Sequence, residues 1–102
     1  MDFGLFNITT ATTTTLIAKG QKAGSVKSIR IANVHNTNSI LLDLYLDDNT
    51  NQTYFFKKNY LAAGEVMFLD KGVNFNNTTH GLKLKTSAVG ENTGVNVNVI
   101  IK

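Results

Sequence analysis

The sequence predicts an all-β protein: a single antiparallel β-sandwich of about seven to eight strands, jelly-roll or Ig-like, preceded by an N-terminal arm. Three observations predict it. Apolar and polar residues alternate with period two in one short segment after another, as a pleated strand with one buried face requires. No segment carries the 3.6-residue period of an amphipathic helix. Asn and Thr occur thirteen times each and Pro not at all. The stiff β-branch of Thr suits strands, and Asn tolerates the left-handed backbone of tight corners.

Seven segments read as strands, in order. Residues 12–18 form the first, and "KGQKAG" turns the chain, with Gly20 and Gly24 free to take positive φ. Residues 26–34 follow, where Ile29 and Ile31 alternate with Ser28 and Arg30. Residues 40–47 set Ile40, Leu42, Leu44 and Leu46 against Leu41, Asp43, Tyr45 and Asp47. "DDNTNQ" is a hairpin corner into residues 53–58, with Tyr54 and Phe56 facing one way and Phe55 the other. "LAAGE" turns into residues 66–69, and a polar loop precedes residues 82–86. The last strand, residues 95–102, sets Val95, Val97, Val99 and Ile101 against Asn96, Asn98, Ile100 and Lys102. The inward sets give an expected core of Ile29, Ile31, Leu42, Leu44, Tyr54, Phe56, Phe68, Leu82, Leu84, Val97 and Val99.

With 102 residues the chain fits one domain, divided into an arm or edge strand at 1–11 and a sandwich at 12–102. Phe3, Leu5, Phe6 and Ile8 crowd four large apolar side chains into the first eight residues. A free tail does not carry such residues, so the segment either adds an edge strand or docks on another chain. Docking is the expectation, with deletion leaving a folded monomer.

Composition narrows the chemistry. Without Cys there is no disulfide, no thiolate nucleophile and no thiolate metal site. No apolar run reaches the ~20 residues of a membrane-spanning helix, and "MDFGLFNITT" lacks the basic flank of a targeting peptide. The net charge of +3 is spread along the chain rather than gathered into a stripe, so neither a nucleic acid nor a membrane is the expected partner. Only His35 and His80 are candidates for a general base, both in loop-like corners, and no catalytic residue is expected. "DDNTNQ" spaces Asp47, Asn49 and Asn51 like the start of a calcium loop. Gln52 and Lys58 stand where Gly and Glu would be needed, so neither metal nor cofactor is expected. Four Asn-x-Thr sequons, at Asn7, Asn51, Asn76 and Asn77, are what so many Asn and Thr residues yield by chance. Tyr45, Phe55 and Tyr60 are candidates for an outward aromatic platform, which would suit a partner protein or a sugar.

The stretches "VKSIRIANVHNTNSILLDLYLDD", "TYFFKKNYLAAGEVMFLD", "GLKLKTS" and "VNVNVIIK" resemble a group of small β-sandwich virion proteins of tailed bacteriophages. In that group a strand ending Ile-x-Ile-x-Asn crosses a polar corner to a strand with an acidic turn. An aromatic strand and an "AGE"-type turn follow, like Ala63-Gly64-Glu65 here; Ala62 stands where such proteins commonly carry Pro. The resemblance implies a non-enzymatic, multi-copy virion component, made in the host cytoplasm and binding the major capsid protein or another virion protein. A capsid decoration or cement protein stabilising capsomer junctions is the first reading, with a homo-oligomer, a trimer above all, as its assembly. A neck, tail or fibre-attachment component is the second, and a module for host surface glycans the third. The expected partner-binding residues are Phe3, Leu5, Phe6, Ile8, Tyr45, Phe55 and Tyr60.

Overall fold

A computed structural model describes residues 4–20, 26–48, 50, 53–70, 75–89 and 94–102. The described residues form eight strands: β1 (Gly4–Ile8), β2 (Thr13–Ile17), β3 (Ile29–Asn33), β4 (Ile40–Asp47), β5 (Thr53–Leu61), β6 (Val66–Leu69), β7 (Gly81–Ala88) and β8 (Val97–Ile101). They make two four-stranded sheets, β1-β8-β3-β6 and β2-β7-β4-β5, and every neighbouring pair is antiparallel.

The pairing has a simple rule. β1 takes β8, β2 takes β7, β3 takes β6 and β4 takes β5, as if one long hairpin had been rolled up. The β3–β8 and β4–β7 pairs then join these ladders into sheets. Only β4 and β5 are neighbours both in sequence and in space. This is the jelly roll, and it sets aside the Ig-like alternative, whose strand order is different.

The core between the sheets is aliphatic. Ile29, Ile31, Val97, Val99 and Ile101 come from one sheet, and Leu16, Ile17, Ile40, Leu42, Leu44, Leu61, Leu82 and Leu84 from the other, all buried. Two irregularities in register decide faces that period two alone would misplace. The ladder shifts between Thr15 and Ile17, and Leu16 and Ile17 are consecutive yet both buried. In β5, Lys57 pairs with Leu44 but Phe55 with Tyr45, leaving Phe56 as the extra residue. That bulge turns Phe55 to the outer face.

Nine of the eleven expected core residues pack in or against the core, Phe56 only partly buried. Two do not. Phe68 is 57% exposed, because it pairs with outward-facing Arg30, while Met67 and Leu69 pair with Ile31 and Ile29 and face inward. A one-residue difference in register exchanges the faces of a strand. Tyr54 is also exposed; it lies near the start of edge strand β5 and sets its ring edge-on to His80, centroids 5.6 Å apart. Gly20 and Gly64 adopt φ of 82° and 84° in their turns; Gly24 falls outside the described residues.

The N-terminal segment is an edge strand of its own sandwich. Gly4 to Ile8 pair with Ile101 to Val97, Ile8 is buried, and Phe6 packs against the core. The expectation that a freely docking arm leaves a fully stable monomer on deletion is therefore corrected. Burial of Ile8 alone is worth about 1.5–3 kcal/mol, partly offset by the entropy of ordering the strand. Deleting residues 2–9 should lower the melting temperature by roughly 10 °C, read by circular dichroism. A change of only a degree or two would show that β1 adds nothing to the fold.

Candidate functional site

Each sheet presents an outer face, and the pleat determines what stands on it. On β2-β7-β4-β5 the register aligns three rows: Tyr60, Leu41 and Ser87; Lys58, Asp43 and Lys85; Phe55, Tyr45 and Lys83. Tyr45 and Phe55 form a tilted ring pair with centroids 5.3 Å apart. Lys58 Nζ lies 4.8 Å from the Phe55 centroid and 3.3 Å from Asp43 Oδ1, so one ammonium group serves both a ring and a carboxylate. Lys83 Nζ donates to Asp47 Oδ2 at 2.9 Å. The Tyr60 hydroxyl donates to Ser39 Oγ at 2.8 Å, fixing the ring while leaving it 54% exposed. Beside it is a shallow depression of ≈ 300 Å³ lined by Leu41, Asp43, Lys58, Asn59, Tyr60 and Ser87.

The outer face of β1-β8-β3-β6 is plainer. One row reads Leu5, Ile100, Arg30 and Phe68, and the next Asn7, Asn98, Ala32 and Val66. Leu5 is 72% exposed and Val66 48%.

The structure divides the expected binding residues. Tyr45, Phe55 and Tyr60 share one outer face. Leu5 stands on the other, while Phe6 and Ile8 point into the core; both are corrected from binding residues to packing residues. Phe3 lies outside the described residues. Sequence reasoning missed Phe68, Val66, Ile100 and Arg30 as one surface. The signal for Arg30 was present in its alternation with Ile29 and Ile31. Phe68 gave none, because all four residues of Val66–Leu69 are apolar.

The histidines do not share a site. His35 follows β3 and precedes β4, while His80 precedes Gly81, which pairs with Asp47 at the far end of β4. Eight extended residues put these ends roughly 20 Å apart. His35 Nδ1 accepts from the backbone N–H groups of Thr37 (3.1 Å) and Asn38 (2.9 Å), so its ring holds the corner in shape. His80 Nδ1 is 2.7 Å from Thr79 Oγ1. In the acidic corner, Asp47 is engaged by Lys83, and Asp48 Oδ1 accepts from the backbone and hydroxyl of Thr50. These contacts build turns and faces.

No family model matches the chain, and neither the curated proteins nor the solved structures provide a match. The surfaces themselves carry the functional reading. No described aromatic side chain is buried: Phe6, Tyr45, Phe56 and Phe75 are half-buried, and Tyr54, Phe55, Tyr60 and Phe68 are exposed. Phe6, Phe56 and Phe75 pack against the aliphatic core, but the four exposed aromatics are suited to contact with something else, since aromatic residues are enriched at interfaces.

Proposed function

We propose that this chain is a non-enzymatic structural subunit of a bacteriophage virion, present in many copies and bound to the capsid as a decoration or cement protein. The exposure of four large aromatics, Tyr54, Phe55, Tyr60 and Phe68, on the outside of the sandwich is the observation that supports it best. The jelly roll is shared by viral capsid and lectin domains, an analogy of fold that agrees with the reading without specifying it. A subunit that bridges capsomers adds contact area at each junction and opposes opening of the shell. Repetition lets each contact be modest. A neck, tail or fibre-attachment position would use the same surfaces.

The test is cosedimentation. Particles from the phage that encodes the chain, purified on a density gradient, should carry it at a stoichiometry of many copies per particle. A virion reconstruction would then separate head from neck and tail. Absence of the chain from purified particles would sink the proposal.

One observation favours a second reading, glycan binding. The depression beside Tyr60 combines an exposed ring with Asp43, Lys58, Asn59 and Ser87, the mixture of stacking surface and hydrogen-bonding groups that sugars use. If this reading holds, Tyr45→Ala with Tyr60→Ala should abolish retention on a glycan array at unchanged thermal stability. A parent protein that retains no glycan would remove it.

A further inference from the structure

We propose that the outer face of β1-β8-β3-β6 is the surface that docks on the partner, and that its partner is a protein surface presenting a carboxylate within an apolar patch. The proposal rests on the virion reading for the identity of the partner, but the chemistry of the face stands on its own observations.

Arg30 sits on an inner strand of this sheet, exposed, with Ile100 beside it on one side and Phe68 on the other, and Leu5 beyond Ile100. None of the four strands contains an Asp or Glu. The nearest carboxylate in register, Asp70, follows β6 by one residue. Lys102 follows β8 by one. Among the described residues Arg30 makes no ion pair. An isolated guanidinium among apolar side chains is a strong determinant of what can cover it. Covering it with hydrocarbon alone would desolvate the charge at a cost that burial of Leu5, Phe68 and Val66 has to overcome. Covering it with a carboxylate gives a forked, charge-assisted pair in a surround that keeps water away.

The same feature argues against a second copy. Two such faces packed about a two-fold axis through their centres would place Arg30 against Arg30, with no acid in the strands themselves and Asp70 only at the rim, beyond the end of β6. The size of the face fits a repeated, individually weak contact. Four strands and two outward rows span about 250 Å², against roughly 800 Å² for each partner in a standard interface. The opposite face differs in that two of its three lysines, Lys58 and Lys83, already pair with Asp43 and Asp47.

The test uses the full chain and a dense surface array of synthetic peptides, so that weak contacts add. The peptides alternate Leu and Val with polar residues around a central Glu, Gln or Lys. The parent should prefer the Glu peptide to the Lys peptide by about tenfold or more. Arg30→Glu should invert the preference, Arg30→Gln should abolish it, and Phe68→Ser should weaken retention on all three. Tyr45→Ala, on the opposite face, should change nothing. Equal retention of the three peptides, or a Glu preference that survives Arg30→Glu, would overturn the proposal. So would light scattering that shows a dimer dissolved by Phe68→Ser, since that makes the occupant a second copy. Cosedimentation with particles that persists in Arg30→Glu would leave the virion reading standing and this inference refuted.

Discussion

Leu44→Ala should lower the unfolding free energy by about 2–5 kcal/mol, the range for truncating a buried leucine. Leu44 is fully buried at the middle of β4, which runs between β5 and β7, and it pairs with Lys57 on one side and Leu84 on the other. Its own strand and neighbouring β7 are the two inner strands of the sheet, with register fixed on both sides, so the surrounding structure has little freedom to collapse into the space left behind. For a domain of this size the loss corresponds to a fall in melting temperature of roughly 10 °C or more. Leu41→Ala is the paired control. It removes the same atoms three residues away on the same strand, but from the outer face, where the side chain is 49% exposed. Urea denaturation of the two variants should separate them by at least about 2 kcal/mol. Equal losses would mean that the inner and outer faces of β4 are not as different as the register makes them.

That contrast was legible in the sequence because β4 alternates cleanly: Ile40, Leu42 and Leu44 are buried, with Leu41 and Asp43 outside. The same holds for Ile29 and Ile31 in β3 and for Val97, Val99 and Ile101 in β8. In each case the residues between the apolar ones fix the parity, or the run is anchored by neighbours that do. β6 offers no such anchor. Four consecutive apolar residues fit either face, and the choice came from pairing with β3, a partner more than thirty positions away. The bulges at Thr15–Ile17 and at Phe56 were hidden for a related reason, since an extra residue shows only once the partner strand is known. Strand order was hidden too: six pairings define the two sheets, and only β4–β5 is a local hairpin. Of the candidate surface, Tyr45 and Tyr60 could be read because they share parity with Asp43 and Lys58 in their strands, whereas Phe55 reaches the same face only through the bulge. The Arg30 face could not be assembled without knowing that β1 lies beside β8 and β6 beside β3.

Asn33 carries the other large expectation, and its role is invisible in composition. It ends β3 in a buried position, only 1% exposed, yet all of its side-chain hydrogen-bonding groups are used. Nδ2 donates to the carbonyls of Asn38 (2.9 Å) and Leu61 (3.0 Å), and Oδ1 accepts from the His35 N–H (3.2 Å). Its own backbone N–H donates to Glu65 O at 2.9 Å, and its carbonyl accepts from Gly64 N–H at 2.8 Å. One residue therefore ties the corner between β3 and β4 to the end of β5 and to the turn before β6. Asn33→Asp preserves shape but replaces the two donor hydrogens with a second acceptor. The carbonyls of Asn38 and Leu61 would then face a carboxylate, each losing a partner, while the charge itself is buried without a cation. The expected cost at neutral pH is about 3–5 kcal/mol, comparable to leaving one partner of a buried ion pair alone. The sign with pH follows from the same groups. Burial raises the carboxyl pKa in the folded state above its unfolded value, so the penalty is full above the raised folded value. It shrinks as the pH falls from there to the unfolded carboxylate range, below which both states hold the proton and the acid keeps one donor. Chemical denaturation at pH 7 and pH 4, each against the parent at the same pH, should therefore show a smaller deficit at pH 4. A variant as stable as the parent at pH 7 would mean that the corner exchanges its bonds for water at no cost, and that Asn33 does not hold the three turns together.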